Sequence, residues 1–178
     1  MSSGDPFKLL LDMEHRCLNS AAGLPVADNA SEKWVGVAFR IGEDRLIAPM
    51  DDVAEILELP DFTSVPGVKS WVVGVANVRG NLLPLMDLKG FLLGEDIKQR
   101  RKGRVIVIDY KGFNTGLIVE EVFGMKHFMT ENEVKDLPHV NPGVAPYINK
   151  AFVLDHEFWP VFNFKRMTSN DKFANASL

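Results

Sequence analysis

Val35, Val37, Phe39 and Ile41 are apolar and alternate with Gly36, Ala38 and Arg40. A side-chain period of two is the signature of a pleated strand that buries one face. The run predicts a half-buried strand, and most of the chain beyond it reads the same way. Gly42-Glu43-Asp44 reads as a turn, and residues 45–48 return as a second strand. A short apolar piece covers 53–59. Residues 71–78 are apolar on nearly every side and form either a short buried helix or a buried strand. Residues 82–88 read as a strand in which Pro84 requires an edge position or a bulge. Strands come next at 104–110 and 113–119 around the turn Lys111-Gly112, then at 121–129. The last hairpin pairs 151–154 with 158–164 across Asp155-His156.

The two ends differ from this pattern. Asp5 and Pro6 suit a helix start, and Leu10, Met13, Cys17 and Leu18 recur at helical spacing, which predicts a helix over 6–18. Residues 20–32 are small and polar and read as a linker, and 130–147 form a polar excursion with three prolines. From residue 166 a polar, flexible tail is expected. The expected organisation is an N-terminal helix and linker (1–32), a β domain (33–165) and a tail (166–178). Short strands, tight turns and few helices indicate a mostly β protein built as small barrels or a sandwich.

Composition narrows the function classes. The formal net charge is −4, which disfavours a nucleic-acid role, because such proteins neutralise phosphates. Lys98, Arg100, Arg101, Lys102 and Arg104 form one basic cluster, but no aromatic residue interleaves it, so it offers no base-stacking platform and reads as a solvated loop. The single cysteine, Cys17, fits a reducing compartment. Asp5, Asp12 and Glu14 are foreign to a secretory signal, and no long uncharged apolar stretch predicts direct membrane insertion. A cytoplasmic location is expected.

The patterns of chemistry are sparse. His15, His127, His139 and His156 lack the spacing of a metal site. Neither a phosphate-cradling glycine loop nor a nucleophile elbow occurs, so no cofactor is expected. Asp51, Asp52 and Asp109 would suit a phosphoacceptor site only on a doubly wound sheet, whose helices are missing from the pattern. The apolar run at 71–80 is more informative. Gly74, Asn77 and Gly80 interrupt it with small or polar groups, as happens where backbones approach closely or turn. With Arg79, and with Val53, Glu55 and Ile56 upstream, it suits the docking of a partner helix.

The stretches Val65-Pro66-Gly67, Trp71-Val72-Val73-Gly74-Val75-Ala76-Asn77-Val78-Arg79-Gly80 and Leu83-Pro84-Leu85-Met86-Asp87-Leu88, with Val53-Ala54-Glu55-Ile56 upstream, resemble the signature of CheW-like chemotaxis coupling proteins. The resemblance runs from about Trp34 to Phe164. Asp5-Pro6-Phe7 to Leu11 and Asn19-Ser20-Ala21-Ala22-Gly23-Leu24-Pro25 resemble the PilI-type branch, which serves type IV pilus twitching motility. The resemblance implies two small five-stranded β barrels side by side, with the N-terminal helix as an addition. It implies a non-enzymatic adaptor between a methyl-accepting chemoreceptor-like protein and the regulatory domain of a CheA-type histidine kinase, recruited to membrane-bound receptor arrays. It further implies an ion pair between Glu55 and Arg79, and a receptor surface formed by Val53, Glu55, Ile56, Gly74, Val75, Asn77, Arg79 and Gly80. The N-terminal helix and the basic loop at 98–104 depart from the pattern. Two other readings stay open: an antagonist of the same fold that binds one partner only, and an enzyme with a dispersed site.

Overall fold

A computed structural model describes residues 33–175, except 96, 98–101, 111 and 136, and at 110 and 113 it describes the backbone alone. The expected N-terminal helix, and Lys98, Arg100 and Arg101 of the basic loop, lie outside the described residues. The chain divides into two units, Met1–Ser31 and Glu32–Leu178, and the described residues belong to the second.

The expected strands are present. They are β1 (Lys33–Ile41), β2 (Asp44–Pro49), β3 (Glu55–Glu58), β4 (Phe62–Thr63), β5 (Val72–Val78), β6 (Asn81–Asp87), β7 (Arg104–Tyr110), β8 (Phe113–Val119), β9 (Glu121–Met129), β10 (Glu133–Val134), β11 (Ile148–Leu154) and β12 (Glu157–Phe162). The apolar run at 71–80 is a strand, not a helix. Two six-stranded sheets result, in the orders β10-β11-β12-β2-β1-β9 and β3-β7-β8-β6-β5-β4. Each holds five principal strands and one two-residue strand at an edge, β10 or β4. The second sheet is an insertion in the first, entered through Met50–Val53 and left through Glu120.

Both sheets curl over a core of their own. In the first, Phe128 of β9 stacks on Phe152 of β11 with ring centroids 4.9 Å apart, and Trp34 stacks on Phe152 at 4.7 Å. These contacts bring opposite ends of the strand order together. In the second, Leu57 of β3 packs on a cluster that contains Val73 and Ala76 of β5. A third, larger core joins the sheets through Val37, Phe39 and Ile41 on one side and Ile106, Ile108 and Leu117 on the other.

That arrangement corrects the reading of β1 as half-buried. Val37, Phe39 and Ile41 enter the shared core, while Ala38 enters the interior of the first sheet, so both faces are covered. Small residues at the alternate positions meet a curled sheet instead of water. Pro84 is a second correction. β6 is interior, between β8 and β5, but its pairing with β8 starts at Leu85, so the missing N–H of Pro84 leaves no partner waiting. The irregularity lies on the neighbouring strand, between Val72 and Gly74.

Short helices complete the unit. α1 (Leu88–Leu93) starts at Asp87, whose buried carboxylate accepts hydrogen bonds from Gly90 N–H at 2.9 Å and Ile97 N–H at 3.0 Å. The tail expected from residue 166 is not free. α2 (Phe164–Thr168) and α3 (Asp171–Ala174) bury Met167 and Phe173. Phe173 stacks on Trp71 at 5.7 Å and meets Phe91 edge-on at 5.2 Å. Two apolar residues in a polar segment carry no periodicity, so the sequence pattern misses them.

Candidate functional site

The β5–β6 hairpin turns through only two residues, Arg79 and Gly80, with φ of 52° and 87°. Positive φ at both positions matches the twist of the strands they join. The left-handed conformation costs a residue with a Cβ about 1–2 kcal/mol, so Arg79 sits there against its own backbone preference. Asn77 braces the turn by accepting the Gly80 N–H at 2.9 Å through its side-chain oxygen. This accounts locally for the Asn-x-Arg-Gly spacing.

Arg79 then reaches across the curl. Its Nη2 lies 2.6 Å from Oε1 of Glu55, on β3 at the far edge of the same sheet. β3 is held in place by β7, through pairs that run from Glu55–Val107 to Glu58–Arg104. The Arg79 side chain is 76% exposed and that of Glu55 31%. The pair ties two ends of the curled sheet and leaves a cation on the surface.

The other residues of the expected receptor surface divide into two groups. Ile56, Asn77 and Gly80 are exposed and Val75 is half-buried. Val53 is not on the surface. It follows the 3-10 turn Met50–Asp52 and packs in the core shared by the sheets. Gly74 does not face an open groove. A Cβ there would run into the backbone carbonyl of Thr63 on β4 and come within 3.0 Å of the Phe62 ring. The close backbone approach expected at Gly74 is real, but the neighbour is the chain's own edge strand.

The structure adds surface residues that the sequence pattern did not single out. Leu82 is 74% exposed, opposite Asn77 on the hairpin, and Phe62 and Val65 are partly exposed in and after β4. On the first sheet, Met125 is 61% exposed, with Met129 and Phe123 also open on the edge strand β9. The signal for Leu82 was an apolar side chain in the outward phase of a strand whose inward phase, Leu83 and Leu85, is buried. Two of the three carboxylates weighed for phosphoryl chemistry have structural partners: Asp52 pairs with Lys165 at 2.8 Å, and Asp109 accepts the Gly112 N–H at 3.2 Å in its own hairpin.

A CheW-like domain matches residues 35–172. The chain belongs to the CheW-like family. It is 42% identical to protein PilI of Pseudomonas aeruginosa over 97% of both chains. It is 30% identical to the chemotaxis protein CheW of Thermotoga maritima, over 64% of this chain and 73% of that one. The crystal structure of the scaffolding protein CheW of Thermoanaerobacter tengcongensis superposes with a TM-score of 0.68 at 19% identity, covering 79% of this chain and 96% of that one, a likeness of fold. This CheW-like protein is a coupling component of chemosensory signalling and not an enzyme. Among the described residues no helix is long and apolar enough to cross a membrane.

Proposed function

We propose that this CheW-like protein is a cytoplasmic adaptor that bridges a methyl-accepting chemoreceptor-like protein and the regulatory domain of a CheA-type histidine kinase, at membrane-bound receptor arrays of a pathway that controls type IV pilus twitching motility. Similarity to PilI over nearly the whole chain supports the pilus branch. The observation that carries the bridging role is a pair of exposed apolar sets on different sheets. Phe62, Val65 and Leu82 belong to the second sheet and its connections, while Phe123, Met125 and Met129 belong to the first. Apolar side chains left open in groups mark interaction surfaces, and a bridge needs two.

The test is size-exclusion chromatography with the kinase regulatory domain and a receptor tip, each alone and both together. The wild-type protein is expected to form both binary complexes and the ternary one. Leu82→Asp and Met125→Asp are each expected to lose one partner and keep the other. Loss of the same partner by both variants overturns the two-face reading. Binding of only one partner by the wild type favours an antagonist.

A further inference from the structure

Glu120 alone separates β8 of the second sheet from β9 of the first. Its N–H donates to the Arg40 carbonyl at 3.3 Å. Its carboxylate accepts the Gly42 N–H at 2.5 Å, and it lies 3.5 Å from Arg40 Nη1 and 3.5 Å from Lys89 Nζ. Gly42 and Arg40 belong to the β1–β2 hairpin of the first sheet. Lys89 belongs to α1, which continues directly from β6 of the second. One carboxylate thus holds a backbone amide and two cations from elements on both sides of the crossover. Glu121 and Glu95 extend the network, to Arg40 at 3.2 Å and to Lys89 at 3.5 Å.

The remainder of the junction is mainly apolar. The shared core is close-packed, and it sets the mutual position of the sheets through side-chain shape. Hydrogen bonds and ion pairs are directional. A cleft of about 540 Å³ opens beside the network, lined in part by Lys102 and Glu95. The Lys89 and Glu120 side chains are nonetheless only 14% and 19% exposed, so removing one partner costs stability as well. What the network adds beyond stability is direction.

We propose that Glu120 is a positioning residue that, with the packed core, fixes the angle between the two curled sheets, and through it the relative orientation of the two docking faces. The inference rests on the adaptor reading. If the angle were free, the second partner to bind would have to order it, and the ternary complex would lose that ordering entropy. With the angle fixed in advance, binding at one face leaves the other ready.

The first test needs no partner. Spin labels at Glu58→Cys on β3 and Asn149→Cys on β11, both at exposed positions, report the distance between the sheets in the full chain with Cys17→Ser. Glu120→Ala is expected to broaden the distance distribution and to lower the melt by several degrees, while the far-ultraviolet spectrum stays near that of the parent. Glu120→Gln, whose amide oxygen still accepts the Gly42 N–H, is expected to broaden it less. An unchanged distribution in folded Glu120→Ala overturns the proposal, and if that variant does not fold, Glu120→Gln decides in the same way. The second test is calorimetry with receptor tip and kinase regulatory domain. The factor by which one partner changes the affinity of the other is expected to fall below its wild-type value, because the second partner must then order the angle, with each separate affinity within about twofold of wild type. Unchanged coupling overturns the proposal, as does loss of a single-partner affinity, which would make Glu120 a contact residue. Failure of the wild type to bind either partner sinks the adaptor reading instead, and the spin-label result then judges Glu120 alone.

Discussion

Arg79 and Glu55 meet at 2.6 Å although β3 and β5 are separated by three strands in the order of their sheet. The contact exists because the sheet curls. It joins an exposed hairpin tip to an edge strand anchored on β7. With the guanidinium three-quarters exposed, the pair contributes only about 0–1 kcal/mol to folding. Its consequence is a hairpin held in one orientation with its charge at the surface.

Single reversals, Glu55→Arg or Arg79→Glu, are therefore expected to shift the melting temperature by no more than about 2–4 °C. They should weaken receptor binding by about 1–3 kcal/mol. The double reversal should recover part of that loss. Titration calorimetry with a receptor tip, alongside thermal melts, checks both halves. Additive losses in the double variant would show that the two residues act separately.

Gly74→Ala is expected to destabilise the protein by about 1–3 kcal/mol, since the added methyl group meets the Thr63 backbone and forces β4 aside. Denaturant unfolding measures this. The family resemblance instead implied a place for Gly74 on the receptor surface. A Gly74→Ala protein with wild-type stability and impaired binding would restore that view.

Asp87→Ala is expected to cost about 2–4 kcal/mol, because two backbone amides in a buried setting lose a charged acceptor. The loss should appear in the denaturation midpoint with little change in its slope.

Truncation after residue 163, or the milder Phe173→Ala, tests the packed C-terminal helices. Phe173 is 6% exposed between Trp71 and Phe91. Replacing a buried phenylalanine by alanine costs about 3–5 kcal/mol. Thermal melts should fall by several degrees. A melt unchanged by the truncation would return this segment to the flexible tail first expected from its polarity.

The sequence by itself determined the strands, because apolar alternation and turn residues are local properties. The β1–β2, β7–β8 and β11–β12 hairpins fall at the turns it marked, and the signature around Asn77, Arg79 and Gly80 pointed to the hairpin that carries the surface charge. Only the tertiary structure decided which faces meet. Val53 and Gly74 belong to the same signature as Arg79, yet one lies in the shared core and the other beneath β4. Leu82 and Met125 are apolar like their buried neighbours, yet are open to solvent. The physical reason is that a period of two says which side chains share a face, whereas curling decides what covers it. Curling depends on contacts between residues far apart in the chain, such as Phe128 with Phe152 and Leu57 with the cluster around Val73 and Ala76, and no local pattern encodes them.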